Sequence, residues 1–375
     1  MIPIIDVSSL FDGPSKARER ADAAILEAAH DPGFITVTGL PDAVPSGPRT
    51  RASLLRLFAL PEAEKRKLWR QKFDPARPNI YRGWFPLQDG HATYKEGIDM
   101  GPDVAHGQAL VDDNDPLREA TPVPDENVLP GWLTDVSAYY RGMELTCNRL
   151  MRSIARSLNL PETAFDDMFR SGISTLRLIR YPVRTAQSFG DGSNPELWTN
   201  HNGERRYVIG RPHVDSGFLT LIAQDGVDGL QARSTAGDWI DVPPLEGSFA
   251  LNFGNTLESM TGGRLRATEH RVIGSSRERF SIPFFYEPRV DAVVSPLPLA
   301  GIKPFEPYLY GDHLWATTTR FVEFLGLEPL RPPRGVASGM AEAIAAELAV
   351  HGRVSSSSHV DAVTQDKDRP LSPRR

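Results

Sequence analysis

Cysteine is almost absent from this 375-residue chain, which has only Cys147. A disulfide within the chain is therefore excluded, as is a metal site built on cysteine pairs, and a reducing, cytoplasmic setting is the expectation. Basic charge is not in excess. Lys and Arg total 42 against 48 Asp and Glu, a formal net charge of -6, whereas a surface built for nucleic acid or anionic lipid favours the opposite balance. Apolar runs long enough to span a bilayer are missing. The start, Met1-Ile2-Pro3-Ile4-Ile5-Asp6, lacks the basic region and apolar stretch of a signal peptide. Neither a membrane nor a nucleic-acid partner is expected, and there is no internal repeat. What remains is ordinary globular composition, 40 % hydrophobic and 24 % charged, in a chain long enough to bury a sizeable core in one or two domains.

Hydrophobic periodicity divides the chain in two. Residues 2–6 suit a strand. Residues 16–30 suit a helix, with Ser15 placed to cap it and Pro32-Gly33 beyond its end. Phe34-Ile35-Thr36-Val37-Thr38 reads as a strand. Helices are expected over 51–60 and 61–71, the second opening on Pro61. Residues 72–128, rich in Pro, Gly and Asp, read as loop with short strands. The longest helix is expected over 132–158, where Val136, Tyr140, Met143, Leu150 and Ile154 recur at helical spacing. From residue 173 short β-type segments follow one another, at 173–181, 207–209, 218–224, 229–232, 239–242, 248–253, 270–273 and 280–286. Turns rich in Gly, Asp, Asn and Ser separate them, the pattern of a sandwich or barrel. Helices are expected again at 313–325 and 336–350, before a polar tail over 355–375 that is expected to be disordered. The division is thus 1–128, an N-terminal region of helices and short strands; 129–354, a helix, a β core and C-terminal helices; and 355–375, the tail.

A His-x-Asp pair is weak as a motif, and the chain supplies its own control, since His-Val-Asp occurs twice. His359-Val360-Asp361 lies in the serine-rich tail, whereas His213-Val214-Asp215 precedes the strand-like Phe218-Leu219-Thr220-Leu221-Ile222. On a strand, residues i and i+2 share a face, so His213 and Asp215 converge there while Val214 points away. His270, in the strand-like Thr268-Glu269-His270-Arg271-Val272-Ile273, is the candidate third ligand. Two imidazoles and a carboxylate on one face leave coordination positions open, an arrangement suited to non-haem iron(II). The same ligands also suit tetrahedral zinc with a bound water, as in a hydrolase. Downstream, Arg279 and Ser281 share one face of another strand. A guanidinium fork and a hydroxyl there can hold a carboxylate.

Together these residues resemble the isopenicillin N synthase-like family of iron(II)/2-oxoglutarate dioxygenases. The resemblance runs from residue 2 to about residue 325. It includes Gly33-Phe34-Ile35-Thr36-Val37, Lys95-Glu96-Gly97-Ile98-Asp99-Met100-Gly101, His213-Val214-Asp215-Ser216-Gly217-Phe218-Leu219-Thr220-Leu221, Asn252-Phe253-Gly254-Asn255 and Ala267-Thr268-Glu269-His270-Arg271-Val272. It implies a mixed α and β fold, with a distorted, jelly-roll-like double-stranded β-helix flanked by helices. It also implies iron(II) on His213, Asp215 and His270, with Arg279 and Ser281 on the distal carboxylate of 2-oxoglutarate and Tyr181 assisting. The implied reaction consumes O2, releases succinate and CO2, and hydroxylates, desaturates or cyclises a small molecule, as in specialised metabolism. Asp215 disfavours halogenation, which needs a vacant ligand position.

Two departures stand out. Ile179 occupies a position where many plant members have Asn, which removes one polar contact to the co-substrate. The stretch 183–212, with turn-like Gly190-Asp191-Gly192-Ser193-Asn194 and Asn202-Gly203, is longer than in those members. It is either a lid or substrate contact, or a tolerated surface insertion. Its Arg184, Arg205, Arg206 and Arg211 could meet an acidic group or simply face solvent. Three alternatives compete with the dioxygenase reading: a 2-oxoglutarate-independent oxidase of the isopenicillin N synthase type, the zinc hydrolase, and a non-catalytic binding module.

Overall fold

The computed structural model describes residues 1–107, 114–190, 192–337 and 339. The strands are β1 (Ile4–Asp6), β2 (Phe34–Thr38), β3 (Gly83–Phe85), β4 (Glu96–Met100), β5 (Thr175–Tyr181), β6 (Trp198–His201) and β7 (Glu204–His213). They continue with β8 (Leu219–Gln224), β9 (Leu230–Arg233), β10 (Trp239–Asp241), β11 (Phe249–Phe253), β12 (His270–Ile273) and β13 (Arg279–Tyr286). Eight of them form one sheet in the order β1-β2-β11-β8-β13-β5-β4-β3, and five form a second in the order β10-β9-β12-β7-β6. In chain order β7, β8, the β9–β10 pair, β11, β12 and β13 alternate between the small and the large sheet, as in a double-stranded β-helix.

Burial explains the strand sequences. β8 (Leu-Thr-Leu-Ile-Ala-Gln) and β11 (Phe-Ala-Leu-Asn-Phe) are buried at every position, because both faces of the large sheet are covered. Towards the small sheet, Ile179, Tyr181, Ile222 and Ala250 meet Ile209, Leu230 and Val272. On the other side lies helix Trp132–Ser157, which buries Val136, Tyr140, Met143, Cys147, Leu150 and Ile154 at the expected spacing. Burying each large apolar side chain stabilises by roughly 1.5–3 kcal/mol. Cys147 is part of this face. It is fully buried, and burial pushes its thiol pKa well up, so it is a packing residue.

The helix at Lys16–His30 has the expected bounds, and Ser15 accepts the Arg18 N–H at 3.2 Å. Other boundaries moved for identifiable reasons. The helix expected over 51–60 runs from Pro48 to Leu55 and tightens into a 3-10 turn at Arg56–Ala59. The one expected over 61–71 stops at Lys67, because Leu68 and Arg70 pair their backbones with Trp84. The one expected over 313–325 is Tyr310–Thr318. There the hydroxyls of Thr317 and Thr319 bond back to the carbonyls of His313 and Trp315, which competes with helix continuation. The helix expected over 336–350 falls almost wholly outside the described residues, as do the tail over 355–375 and its His359-Val360-Asp361.

The stretch 183–212 is not simply a loop. Asn202 and Gly203, with φ of 51° and 79°, turn a hairpin between β6 and β7. The hairpin is stitched on its outside. Phe189 stacks on Trp198 with ring centroids 4.9 Å apart, and Arg271 donates to Thr199 Oγ1 at 2.9 Å. β7 then continues into the small sheet and ends on His213.

Candidate metal centre

His213 and His270 face each other across the β7–β12 ladder. His213 is the last residue of β7, and Asp215 lies just past the strand end, in the turn to β8. That turn is held by Gly254 N–H to Phe218 O and Asn255 N–H to Asp215 O, at 2.8 and 2.7 Å. A Cβ on Gly254 would lie 2.2 Å from Gly217 O, so only glycine permits this approach. The candidate ligand atoms of the three residues lie within 4.8 Å of one another. Both imidazole Nε2 atoms point at Asp215 Oδ1, at 3.7 and 3.8 Å.

Hydrogen bonds leave these three atoms free to coordinate. His213 Nδ1 lies 2.8 Å from Arg211 O and His270 Nδ1 lies 3.2 Å from Thr268 O. A carbonyl only accepts, so each Nδ1 carries the proton and each Nε2 turns a lone pair inward. Desolvation, then the adjacent His270 ring, hold His213 well below the ordinary imidazole range, which keeps it a neutral donor. Asp215 Oδ2 accepts from Thr220 Oγ1 at 2.6 Å and Asn252 Nδ2 at 2.7 Å, which leaves Oδ1 for a metal. Burial opposes ionisation of this carboxyl. The charge that either imidazole carries when protonated, together with these hydrogen bonds, outweighs it and keeps the pKa below its usual value. Asn252→Ala should lower iron affinity by about 10–100-fold while the fold persists, as equilibrium binding and circular dichroism would report.

A cavity of about 60 Å³ adjoins the triad and is lined by Tyr181, Arg279 and Ser281. Arg279 pairs with Tyr181 across β13–β5, and Ser281 sits opposite Ile179 and Gln224. Arg279 is only 2 % exposed, and its Nη2 donates to Gln224 Oε1 at 3.0 Å. Its Nε and Nη1 have no hydrogen-bond partner among the described residues. A guanidinium buried with two donors unused is costly unless an anion completes it, so the residues fit a carboxylate-bearing co-substrate. Ile179 lines the same cavity with a side chain that has no polar group to offer. A second cavity, of about 80 Å³, adjoins His213 and Asp215 and is lined by Lys95, Arg177, Arg211, Glu287, Phe321 and Phe324, among others. Of the four arginines from 183–212, only Arg211 reaches it. Arg184 is buried and donates to Ser188 O, Arg205 lies over Trp198, and Arg206 donates to Gly274 O.

Residues 2–126 match the family model described as non-haem dioxygenase in morphine synthesis N-terminal, and residues 177–288 match the 2OG-Fe(II) oxygenase superfamily. The chain belongs to the iron(II)/2-oxoglutarate dioxygenases. It is 28 % identical over 320 residues to the isopenicillin N synthase of Streptomyces clavuligerus, covering 84 % of this chain and 93 % of that one. It is 29 % identical to a homoarginine-6-hydroxylase of Oryza sativa subsp. japonica, covering 84 % and 95 %. In fold it is similar to a full-length Neurospora crassa protein solved in complex with alpha-KG, with TM-score 0.70 and 23 % identity over 85 % of this chain and 96 % of that one. As a member of this family, the dioxygenase uses iron(II), 2-oxoglutarate and O2 to oxidise its substrate. No helix among the described residues is long and apolar enough to cross a membrane.

Sequence reasoning missed the residues that orient the site, namely Thr220, Asn252 and Gln224, and the charged and aromatic lining at Lys95, Arg177 and Phe321. Asn252 and Thr220 had a signal, since both fall within motifs of the family, but nothing in their identity pointed to Asp215.

Proposed function

We propose that His213, Asp215 and His270 hold iron(II), that Arg279 and Ser281 with Tyr181 hold 2-oxoglutarate, and that the dioxygenase hydroxylates a C–H bond of a small molecule. The observation that carries this is the pairing of three inward-facing, unprotonated ligand atoms with a buried guanidinium that lacks an anion. The bound metal and co-substrate supply the oxidising power, with 2-oxoglutarate going to succinate and CO2. The protein binds, orients and excludes water. Arg279 and Ser281 would hold the far carboxylate of 2-oxoglutarate. Thr220 and Asn252 hold Asp215 so that one oxygen faces inward. The aromatic side chains of the second cavity would hold the substrate beside the metal site and exclude water.

A small-molecule substrate is supported by relatives named for such molecules, the homoarginine-6-hydroxylase and an Arabidopsis thaliana feruloyl CoA ortho-hydroxylase. The similarity to isopenicillin N synthase keeps one competitor in view, an oxidase whose Arg and Ser hold the substrate itself. Stoichiometry separates the two readings. One succinate per oxidised substrate is expected, and turnover without 2-oxoglutarate would favour the oxidase. Arg279→Ala should raise the half-saturating 2-oxoglutarate concentration at least about tenfold, the size expected for charge-assisted hydrogen bonds, with iron affinity little changed. An unchanged 2-oxoglutarate requirement would assign Arg279 to another task.

A further inference from the structure

Charge in the second cavity is nearly balanced, and the imbalance lies in one residue. Lys95 Nζ sits 2.8 Å from Glu323 Oε1. Arg177 grips Asp99 through two nitrogens and lies 3.5 Å from Glu323. Glu287 accepts from Thr175 Oγ1 at 2.8 Å and Tyr310 OH at 3.3 Å, and burial pushes its pKa up to about 7, which trims its negative charge. Asp215 faces the metal site. Arg211 alone among these charged lining residues has no ion pair or side-chain hydrogen bond among the described residues.

Its position is nevertheless fixed. Arg211 lies two residues before His213 on β7 and lines the same cavity. Its N–H donates to Thr93 Oγ1 at 3.4 Å, and its carbonyl accepts from His213 Nδ1. Arg211 is exposed at the cavity mouth, with its guanidinium carbon 5.7 Å from the Phe321 ring centroid. Phe321 in turn stands edge-on to His213, with centroids 5.6 Å apart. The path from mouth to metal is therefore a free cation, an aromatic ring, then the ligand imidazole.

Resting on the dioxygenase reading above, we propose that the substrate is a small organic anion with an apolar body, its charged end held by Arg211 and its body laid along Phe321 towards the metal. A guanidinium recognises a carboxylate or a phosphate ester through the same paired hydrogen bonds. The aromatic wall suits a planar or hydrocarbon body.

The test uses the anaerobic protein loaded with iron(II) and 2-oxoglutarate. The probes are phenylacetate, 3-phenylpropanoate and 4-phenylbutanoate against their primary amides, and phenyl phosphate against phenol. Binding is read by calorimetry and by the change in the visible charge-transfer absorption of the iron–2-oxoglutarate complex. At least one anion should bind about tenfold or more tightly than its neutral partner, and the stronger series identifies carboxylate or phosphate. Arg211→Gln should remove the preference and Arg211→Lys keep part of it, both with unchanged 2-oxoglutarate affinity. Equal binding of anions and neutral partners, no binding by any anion, or a preference that survives Arg211→Gln would overturn the proposal. If the wild-type charge-transfer absorption never forms, it is the dioxygenase reading that fails.

Discussion

Asp215→Ala should reduce iron-dependent turnover to the background of the metal-free protein. The substitution removes the carboxylate of the proposed triad and leaves two neutral imidazoles, which hold a divalent hard-to-borderline cation poorly. It also strands Thr220 Oγ1 and Asn252 Nδ2, which now donate to Asp215 Oδ2. Fold loss is not expected, because Asp215 lies in a turn that is anchored by backbone bonds from Gly254 and Asn255. Iron content, turnover and circular dichroism together would show a folded, iron-poor, inactive protein. Full activity in that variant would mean that the metal is held elsewhere.

Asp99→Ala should cost about 3–5 kcal/mol of stability, the usual penalty for removing one partner of a buried ion pair. Asp99 has a fully buried side chain. It accepts from Arg70 and, at 2.8 Å, from Arg177 Nη2. Without it the buried Arg70 guanidinium loses its ion-pair partner, and Arg177 keeps only Glu323, at 3.5 Å. Burial opposes ionisation of Asp99, but Arg177 and then Arg70 outweigh it and hold the pKa below the ordinary value. A depressed folded pKa fixes the sign of the pH dependence. The stabilisation is complete above the unfolded carboxylate value, about 4, and is lost as pH falls through the folded one. Denaturant titration should therefore show wild type and Asp99→Ala far apart at neutral pH and converging in acid. A constant gap across that range would contradict this account of Asp99. Since Arg177 lines both cavities beside the triad, the variant should lose activity along with stability.

Much of this site was legible before any coordinates. The proposed ligands His213 and Asp215 and the Arg279/Ser281 pair are marked by i, i+2 spacing on or beside short β segments, and spacing survives into structure because strands alternate faces. Asp215 departs from that pattern in one respect, since it lies beyond the strand end and converges through a tight turn. The residues that finish the site were hidden for a physical reason. Thr220 and Asn252 meet Asp215 because they sit opposite each other in the β8–β11 ladder, and that register is non-local. Gln224 reaches Arg279 by the same kind of cross-strand pairing. Of the β6–β7 hairpin only 207–209 reads as strand in the sequence, because the rest of both strands is polar and β6 lies at the sheet edge. The apolar alternation that normally announces a strand is absent there, and only Asn202-Gly203 gave the turn away. Phe321 reaches the site through the turns that follow helix Tyr310–Thr318, where helical periodicity is a poor guide.

One iron(II) and one 2-oxoglutarate are proposed to assemble on His213, Asp215, His270 and Arg279. Anaerobic titration of 2-oxoglutarate into the iron(II) protein tests this most directly, by following the visible charge-transfer absorption of the complex. One equivalent should saturate the signal in wild type. His213→Ala, Asp215→Ala and His270→Ala should abolish it, and Arg279→Ala should only shift it to higher 2-oxoglutarate concentration. An undiminished signal in any of the three ligand variants would contradict the account.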